Sequence, residues 1–272
     1  MVNPRSEPGP APSNQAQRDS PSYRLPALDQ DFISGASMRG VRFLLEFAKA
    51  DEVLRAWGVR STLVVFGSAR VHEAGTGRRG FWYDEARRFG RLASERGGAI
   101  TPDDKGQRDN VIATGGGPGI MAAANRGAAE AGAPNVGFNI TLPMEQQPNP
   151  YTTPDLTFSF HYFAMRKMHF AMRANALVVF PGGFGTLDEL FEILTLRQTD
   201  KSPRIPVVLV DEAYWRSVIS FETLVDQGMI AATDLNLFEF AQDAEEAWIK
   251  LLADGLVVRG RATGPAVPER ET

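Results

Sequence analysis

The sequence predicts an α/β fold, a Rossmann-like three-layer α/β/α domain with a mainly parallel sheet. Short apolar runs alternate with longer helical patterns along most of the chain. This alternation is typical of a parallel sheet covered by helices on both faces. Three of the runs end in small-residue turns, at Gly67-Ser68, at Gly115 to Gly117 and at Pro181 to Gly183. Open α/β sheets bind ligands at that edge, so the turns also locate a candidate site.

The helices are predicted from apolar residues at helical spacing. Pro118 suits the first position of its helix, because the N–H of that position has no partner within a helix. Met165, Met168 and Met172 have the spacing of a buried helical stripe. The predicted helices are Val41–Trp57, Tyr83–Arg96, Pro118–Ala131, Phe163–Arg173, Leu187–Gln198, Tyr214–Gln227 and Ala244–Leu252.

The strands are predicted from the apolar runs between those helices. One run alternates apolar and polar residues from Leu156 to Tyr162, as in a half-buried strand. The other predicted strands are Thr62–Phe66, Asn110–Ala113, Asn135–Ile140, Ala176–Phe180, Pro206–Val210 and Leu237–Phe240.

Composition predicts how the chain is divided. Residues 1–30 are rich in proline and polar residues, which indicates a disordered or loosely packed N-terminal arm. Residues 31–256 are predicted to form a single Rossmann-like nucleotide-binding catalytic domain. Residues 257–272 resemble a flexible C-terminal tail.

Charge and cysteine content exclude several classes of function. The net charge of −4 disfavours a nucleic acid or an anionic membrane as the main partner. The chain has no cysteine and no apolar stretch approaching the ~20 residues that span a bilayer. We therefore expect a cytoplasmic protein.

The sequence predicts no metal site, because the three histidines lack neighbouring acids at ligand spacing. The loop that contains Asp103, Asp104 and Asp109 is interpreted as solvated.

Pro181 to Glu189 is the most informative segment. An apolar strand leads into a glycine-rich turn that opens a helix, and such a helix start offers free N–H groups and a positive dipole to an anion. The expected phosphate donors are the N–H groups of Gly183, Gly185 and Thr186, helped by the hydroxyls of Thr186 and Ser68. We expect a nucleotide or a sugar phosphate.

Two other nucleotide sites fit the sequence poorly. The chain has no Gly-Lys-Ser/Thr, which excludes a P-loop. The segment Gly115 to Ile120 lacks the third small residue of the dinucleotide fingerprint, and no acid closes the next strand at Ile140. NAD binding is therefore disfavoured.

Glu189 and Arg166 each have two interpretations. Thr186 and Glu189 have capping-box spacing, in which the carboxylate would bind the Thr186 N–H. Alternatively, Glu189 is an acid beside the sugar of a bound nucleotide. Arg166 either has only a structural role, as a surface cation or the partner of a nearby carboxylate, or points to the strand ends.

Together these residues resemble the LOG family of phosphoribohydrolases, which release cytokinin bases from their nucleotides. The family pattern of an Arg-Lys pair followed by Pro-Gly-Gly-x-Gly-Thr-x-x-Glu reads here as Arg166-Lys167 and Pro181 to Glu189. The run Gly115 to Met121 matches the second signature of the family. The N-terminal extension and Phe66 to Arg70 resemble longer bacterial members, several of which are regarded as AMP nucleosidases.

The resemblance implies homodimers with a site near the subunit interface, and catalytic roles for Arg166 and Glu189. The turns predicted at Gly67-Ser68 and at Gly115 to Gly117 add further contacts to those that the resemblance implies. The full set of expected substrate contacts is Ser68, Gly116, Gly117, Glu145, Lys167, Gly183, Phe184, Gly185, Thr186 and Thr195. Family members have often been labelled lysine decarboxylases, but no lysine here stands in a recognisable pyridoxal-phosphate context.

The implied reaction is hydrolysis of the N-glycosidic bond of a purine nucleoside 5′-monophosphate, giving free base and ribose 5-phosphate, with no metal or organic cofactor. AMP, other purine monophosphates and prenylated adenine nucleotides stay open as substrates. The alternative is a non-enzymatic carrier of a phosphorylated ligand, because the fold also resembles molybdenum-cofactor carrier proteins. A regulatory nucleotide sensor is a third interpretation.

Overall fold

The computed structural model describes residues 13–142 and 147–258 of the chain. The chain divides into two compact units, Met1–Leu45 and Glu46–Thr272. The boundaries predicted after residues 30 and 256 stay predictions. Residues 1–12 and 259–272, which belong to the predicted arm and tail, lie outside the described residues.

The first unit contains two short helices, α1 (Gln15–Asp19) and α2 (Gln30–Ser34). Asp29 caps α2, since its Oδ1 accepts a hydrogen bond of 3.1 Å from the N–H of Phe32. Single turns of 3₁₀ helix lie at Pro21–Tyr23, Pro26–Leu28 and Ala36–Met38.

Most of the predicted helices are confirmed, with ends shifted by a few residues. Tyr214–Gln227 is wrong as a single helix, because the backbone is extended at Ile219 between two helices. Pro118 precedes its helix, because Gly119 has a φ of 72° that the helix cannot contain. The further helices of the described residues are α3 (Arg39–Ala56), α4 (Arg78–Gly97), α5 (Ile120–Glu130), α6 (Phe163–Arg173), α7 (Phe184–Gln198), α8 (Glu212–Val218), α9 (Phe221–Asp226) and α10 (Ala244–Ala253).

The strands of the described residues form one sheet. They are β1 (Thr62–Phe66), β2 (Val111–Thr114), β3 (Val136–Ile140), β4 (Thr157–Phe160), β5 (Ala174–Val179), β6 (Val207–Val210) and β7 (Glu239–Ala241). Their order is β4-β3-β2-β1-β5-β6-β7, and every neighbouring pair is parallel. The start of the predicted last strand, Leu237, instead ends a turn of 3₁₀ helix.

Helices cover both faces of the sheet. On one face α4, α5 and α10 bury apolar side chains such as Phe89 and Trp248. On the other face α6, α7, α8 and α9 do the same with side chains such as Phe170, Leu190 and Trp215. Each large apolar side chain removed from water contributes about 1.5–3 kcal/mol. The predicted three-layer α/β/α fold is confirmed. Among the helices that are described, none has the length and apolar character needed to cross a membrane.

The methionine stripe predicted for α6 is wrong in part. Met165 packs against the core, but Met168 and Met172 are 43% and 47% exposed. His169 and Phe170 take the buried face of α6 instead. Spacing alone could not choose between two neighbouring faces of the same helix.

The interpretation of the acidic loop as solvated is also wrong in part. Arg60 forms ion pairs with Asp109 and with Asp103, the latter at 2.7 Å between Nη1 and Oδ2. The hydrogen bond from Arg60, with backbone N–H groups, lowers the pKa of Asp103 to about 2. Asp109 is only 8% exposed. The loop is therefore held at the amino end of the sheet, opposite to the edge with the glycine turns.

Candidate active site

The candidate site lies where the strand order reverses. The chain runs outward from β1 through β2 and β3 to β4, and then returns to place β5 on the other side of β1. The carboxyl ends of β1 and β5 are therefore neighbours at the switch point, which is the usual ligand position in open α/β sheets. The N–H of Ser68, after β1, donates to the carbonyl of Pro181, after β5, at 3.0 Å.

The glycine-rich turn after β2 meets the same two turns. The N–H of Ile120 donates to the carbonyl of Ser68 at 3.1 Å. A methyl group on Gly119 would lie 2.3 Å from that carbonyl oxygen, so only glycine allows this approach. The three predicted turns thus form one surface.

Asn149 holds the turn after β2 in place through two hydrogen bonds. Its N–H donates to the carbonyl of Gly116 at 2.8 Å, and its side-chain Nδ2 donates to the carbonyl of Gly117 at 3.0 Å. Both glycines are buried in the described chain. Their predicted contact with substrate stays a prediction.

Helix α7 begins earlier than the sequence predicts. Gly183 is its N-cap and Phe184 its first residue, and the N–H groups of Thr186 and Leu187 both donate to the carbonyl of Gly183, at 2.9 and 3.0 Å. The capping-box interpretation of Thr186 and Glu189 is therefore wrong, since Thr186 lies inside the helix. The N–H of Thr186 is also already bonded, which removes it from the expected phosphate donors.

The first turn of α7 retains free N–H groups. Within the part of the chain that the structure describes, those of Gly183, Phe184 and Gly185 have no hydrogen-bond partner. The space beside Gly183 and Gly185 is open with respect to the described residues, because a methyl group on either would meet none of their atoms within 4 Å. Free amides at the positive end of a helix dipole favour an anion.

Glu189 and Arg166 form a buried pair behind this turn. Arg166 Nη2 lies 3.3 Å from Glu189 Oε1, and the two side chains are 13% and 4% exposed. The guanidinium also lies 5.0 Å from the ring centre of Phe163 and 5.8 Å from that of Phe170. Arg166 is therefore not a surface cation but the partner of a nearby carboxylate, and Glu189 is not tied to the start of its own helix.

The pair retains unused hydrogen-bonding capacity. Arg166 Nε is buried and has no hydrogen-bond partner among the described residues. A methyl group on Gly115 would lie 3.8 Å from Arg166 Nη1, so the turn after β2 borders the guanidinium. A buried donor without a partner is costly, and a bound ligand would remove that cost.

Burial dominates the titration of both groups. It raises the pKa of Glu189 to about 7, although the positive charges of Arg166 and Lys167 oppose the shift. Burial likewise lowers the pKa of Arg166, against the attraction of Glu189. A carboxyl with a pKa near neutrality can accept or donate a proton at neutral pH, as general acid–base catalysis requires.

Other predicted site residues face partners of their own. Lys167 Nζ lies 2.8 Å from both Asp188 Oδ2 and Glu192 Oε2, on α7. Burial opposes the charge of Lys167, but the acids outweigh it and raise its pKa. Thr195 is exposed, and its hydroxyl donates to the carbonyl of Phe191 at 2.7 Å.

The remaining predicted contacts lie on the turns. Ser68 Oγ accepts from the N–H of Arg70 at 3.1 Å. Phe184 is 92% exposed at the start of α7. Glu145 lies outside the described residues.

Sequence reasoning missed Tyr214, whose hydroxyl donates to the carbonyl of Gly182 at 2.7 Å. It also missed Asp211, which caps α8 by accepting from the N–H of Tyr214 at 3.1 Å. The spacing of Asp211 and Tyr214 could have predicted that cap. No local pattern could have predicted the contact with Gly182, because 32 residues separate Tyr214 from it.

Comparisons with known proteins agree with the resemblance. Residues 121–251 match the model of a family described as "Possible lysine decarboxylase". A "Probable cytokinin riboside 5′-monophosphate phosphoribohydrolase" of Oryza sativa subsp. japonica is 32% identical over 114 residues, 37% of this chain and 50% of that protein. A cytokinin riboside 5′-monophosphate phosphoribohydrolase of Arabidopsis thaliana is 26% identical over 161 residues, 57% of this chain and 70% of that protein.

The predicted resemblance to the LOG family is thereby confirmed. The chain spans half or less of the length of the curated relatives that it matches at more than 30% identity. Among solved structures, the molybdenum cofactor binding protein of the phototrophic bacterium Rippkaea orientalis matches with a TM-score of 0.46 and 21% identity, over 71% of this chain and 96% of that one.

Proposed function

Because the chain resembles the phosphoribohydrolases of the LOG family, we propose that it hydrolyses the N-glycosidic bond of a purine nucleoside 5′-monophosphate. The products are the free base and ribose 5-phosphate, and AMP and a cytokinin riboside 5′-monophosphate are the candidate substrates. The observation that supports this best is the buried pair of Arg166 and Glu189, 3.3 Å apart, beside the free N–H groups at the start of α7.

The carboxylate of Glu189 supplies the chemistry in this proposal. Breaking the bond between ribose and base builds positive charge on the ribose, as in glycoside hydrolysis. A carboxylate held close to that carbon stabilises the charge, and it orients or deprotonates the attacking water. The pKa of about 7, which burial of Glu189 causes, suits both roles near neutral pH.

Arg166 and the turn after β5 bind the rest of the substrate. The guanidinium orients the carboxylate of Glu189, and its unpartnered Nε is available to the ribose or the phosphate. The free N–H groups of Gly183, Phe184 and Gly185 bind the phosphate. Binding energy gained there fixes the reacting carbon beside Glu189.

Replacing Glu189 by Gln tests the proposal. The substitution keeps the size of the side chain and removes its charge. We expect the release of adenine from AMP, measured by chromatography, to fall by about 100-fold or more. AMP binding, measured by calorimetry, changes by less than about fivefold, because the phosphate donors are main-chain groups.

Glu52→Gln is the matched control, since Glu52 is exposed on α3. It should leave both measurements unchanged. Near-normal turnover by Glu189→Gln would refute the assignment. Wild-type protein that binds AMP and returns it intact would favour the carrier alternative. A chromatographic screen of nucleoside monophosphates for released base identifies the preferred base.

A homodimer belongs to the same proposal. The outer surface of α6 and α7, next to the site, exposes large apolar side chains. These are Phe163, Met168, Met172, Phe184 and Phe191, which are 39–92% exposed. A second copy of the chain would bury them.

The absence of cysteine from the sequence fits the cytoplasm, which we propose as the location of the protein.

A further inference from the structure

The turn after β5 has three carbonyl groups in succession that are held by hydrogen bonds. The carbonyl of Pro181 accepts from Ser68 N–H, and that of Gly183 accepts from the first turn of α7. The carbonyl of Gly182, between them, accepts at 2.7 Å from the hydroxyl of Tyr214, on α8. The middle peptide is thus the one held by a side chain.

Holding a carbonyl fixes the N–H of the same peptide. A trans peptide is planar, so its C=O and N–H point in opposite directions. The peptide that joins Gly182 to Gly183 therefore directs the Gly183 N–H away from Tyr214. Among the described residues that N–H has no partner, and none of their atoms occupies the space beside Gly183.

We propose that Tyr214 is a positioning residue that aims the Gly183 N–H at the phosphate of the substrate. The inference rests on the proposed function, because it takes the turn after β5 as the phosphate site. Glycines flank this peptide on both sides, and their wide conformational freedom would otherwise let it rotate.

Tyr214 is itself held in one orientation. Asp211 caps its helix, and the ring of Tyr214 packs edge-to-face against Trp82 of α4, with centres 5.5 Å apart. The indole Nε1 of Trp82 donates to Asp211 Oδ2 at 2.8 Å, and Arg78 forms an ion pair with the same carboxylate. Burial raises the pKa of Tyr214, so its hydroxyl stays protonated and donates.

The test is Tyr214→Phe, which keeps the ring and its packing but removes the hydroxyl. Its matched control is Tyr83→Phe, because Tyr83 is also a buried tyrosine, on α4. The side chain of Tyr83 is hydrogen-bonded to Arg126, and it makes no described contact with the turn after β5. Dissociation constants for ribose 5-phosphate and for adenine are measured by calorimetry, and kcat and KM are measured with AMP.

We expect Tyr214→Phe to weaken binding of ribose 5-phosphate about tenfold, as for one lost hydrogen bond to a charged group. The KM for AMP should rise by a similar factor, with kcat within about threefold and adenine binding unchanged. Tyr83→Phe should match the wild type in every measurement.

Three results would overturn the inference. In the first, Tyr214→Phe binds ribose 5-phosphate as tightly as Tyr83→Phe does. In the second, Tyr214→Phe binds ribose 5-phosphate and adenine more weakly by the same factor. In the third, the kcat of Tyr214→Phe falls and its KM for AMP does not rise. If the proposed function itself is wrong, the result is different, because wild-type protein will not release adenine from AMP. The comparison of ribose 5-phosphate binding between Tyr214→Phe and Tyr83→Phe would still decide the role of Tyr214.

Discussion

The burial of Glu189 lowers the stability of the protein when its carboxyl is charged, and it also gives the carboxyl a pKa suited to catalysis. The Glu189 residue is 3% exposed, and burial raises the pKa of its carboxyl from 4.5 to about 7. The folded state therefore binds a proton at this site more tightly than the unfolded state does. The stability that the protonated form contributes is complete below pH 4.5 and is lost as pH rises through about 7. A functional group in such surroundings is typical of active sites.

Glu189→Gln should remove this pH dependence. Between pH 4.5 and pH 7 the wild type should lose up to about 3 kcal/mol of unfolding free energy relative to the variant, because one pKa unit corresponds to about 1.4 kcal/mol. Urea unfolding of both proteins at a series of pH values measures the difference. Parallel curves for the two proteins would show that the pKa of Glu189 is not raised by folding.

Arg166 explains why the charged form of Glu189 is tolerated at all. A single buried carboxylate is expensive, and a guanidinium at 3.3 Å offsets part of that cost. The two residues come from different elements, α6 and α7. Their contact depends on both helices packing against the same face of the sheet.

At the scale of elements, the turns after β1 and β2 touch through their backbones. Gly119 permits the contact in two ways. Its φ is 72°, and a methyl group on it would lie 2.3 Å from the carbonyl oxygen of Ser68. Any larger residue would push the two turns apart, and with them one wall of the candidate site.

Gly119→Ala separates these two effects when it is compared with Gly77→Ala. The backbone of Gly77, with φ 60° and ψ −137°, resembles that of Gly119, with φ 72° and ψ −133°. A methyl group on Gly77 would meet no atom of the described residues within 4 Å. We expect Gly77→Ala to cost about 2 kcal/mol from backbone strain alone. Gly119→Ala should cost about 4 kcal/mol, because overpacking adds to the strain.

Denaturant unfolding of both glycine variants measures these costs. The same loss of stability in the two would mean that the turns after β1 and β2 are not in close contact.

At the scale of the whole molecule, the outer surface of α6 and α7 decides the proposed assembly. Met172 is 47% exposed there, on the helix that carries Arg166. Ile249 is 56% exposed on α10, which packs on the opposite face of the sheet. The two residues are therefore similar in exposure and differ in position.

Met172→Glu should dissociate the dimer and lower AMP hydrolysis, since a carboxylate cannot be buried in an apolar interface without a partner. Sedimentation velocity across a range of protein concentrations measures the mass. Ile249→Glu should sediment as the wild type does. A wild-type protein that sediments as a monomer at all concentrations would contradict the proposed dimer.

Much of this molecule could be predicted from local patterns. The boundaries of β1 and α6 were predicted to the residue, because apolar runs and helical spacing are properties of neighbouring residues. The parallel sheet followed from the alternation of strands and helices. The glycine turns were placed correctly at strand ends, since a chain that changes direction there needs small residues.

Tertiary structure alone decided what Glu189 and the hydroxyl of Tyr214 bind. Spacing allowed Glu189 to cap its own helix, and only the packing of α6 against α7 pairs it with Arg166 instead. The hydroxyl of Tyr214 reaches Gly182 for the same reason, because α8 follows β6 beside the turn after β5. The sequence by itself determined most of the segments that become strands, turns and helices. Contacts between residues far apart in the chain arise only when the sheet assembles, and burial then sets the pKa of Glu189.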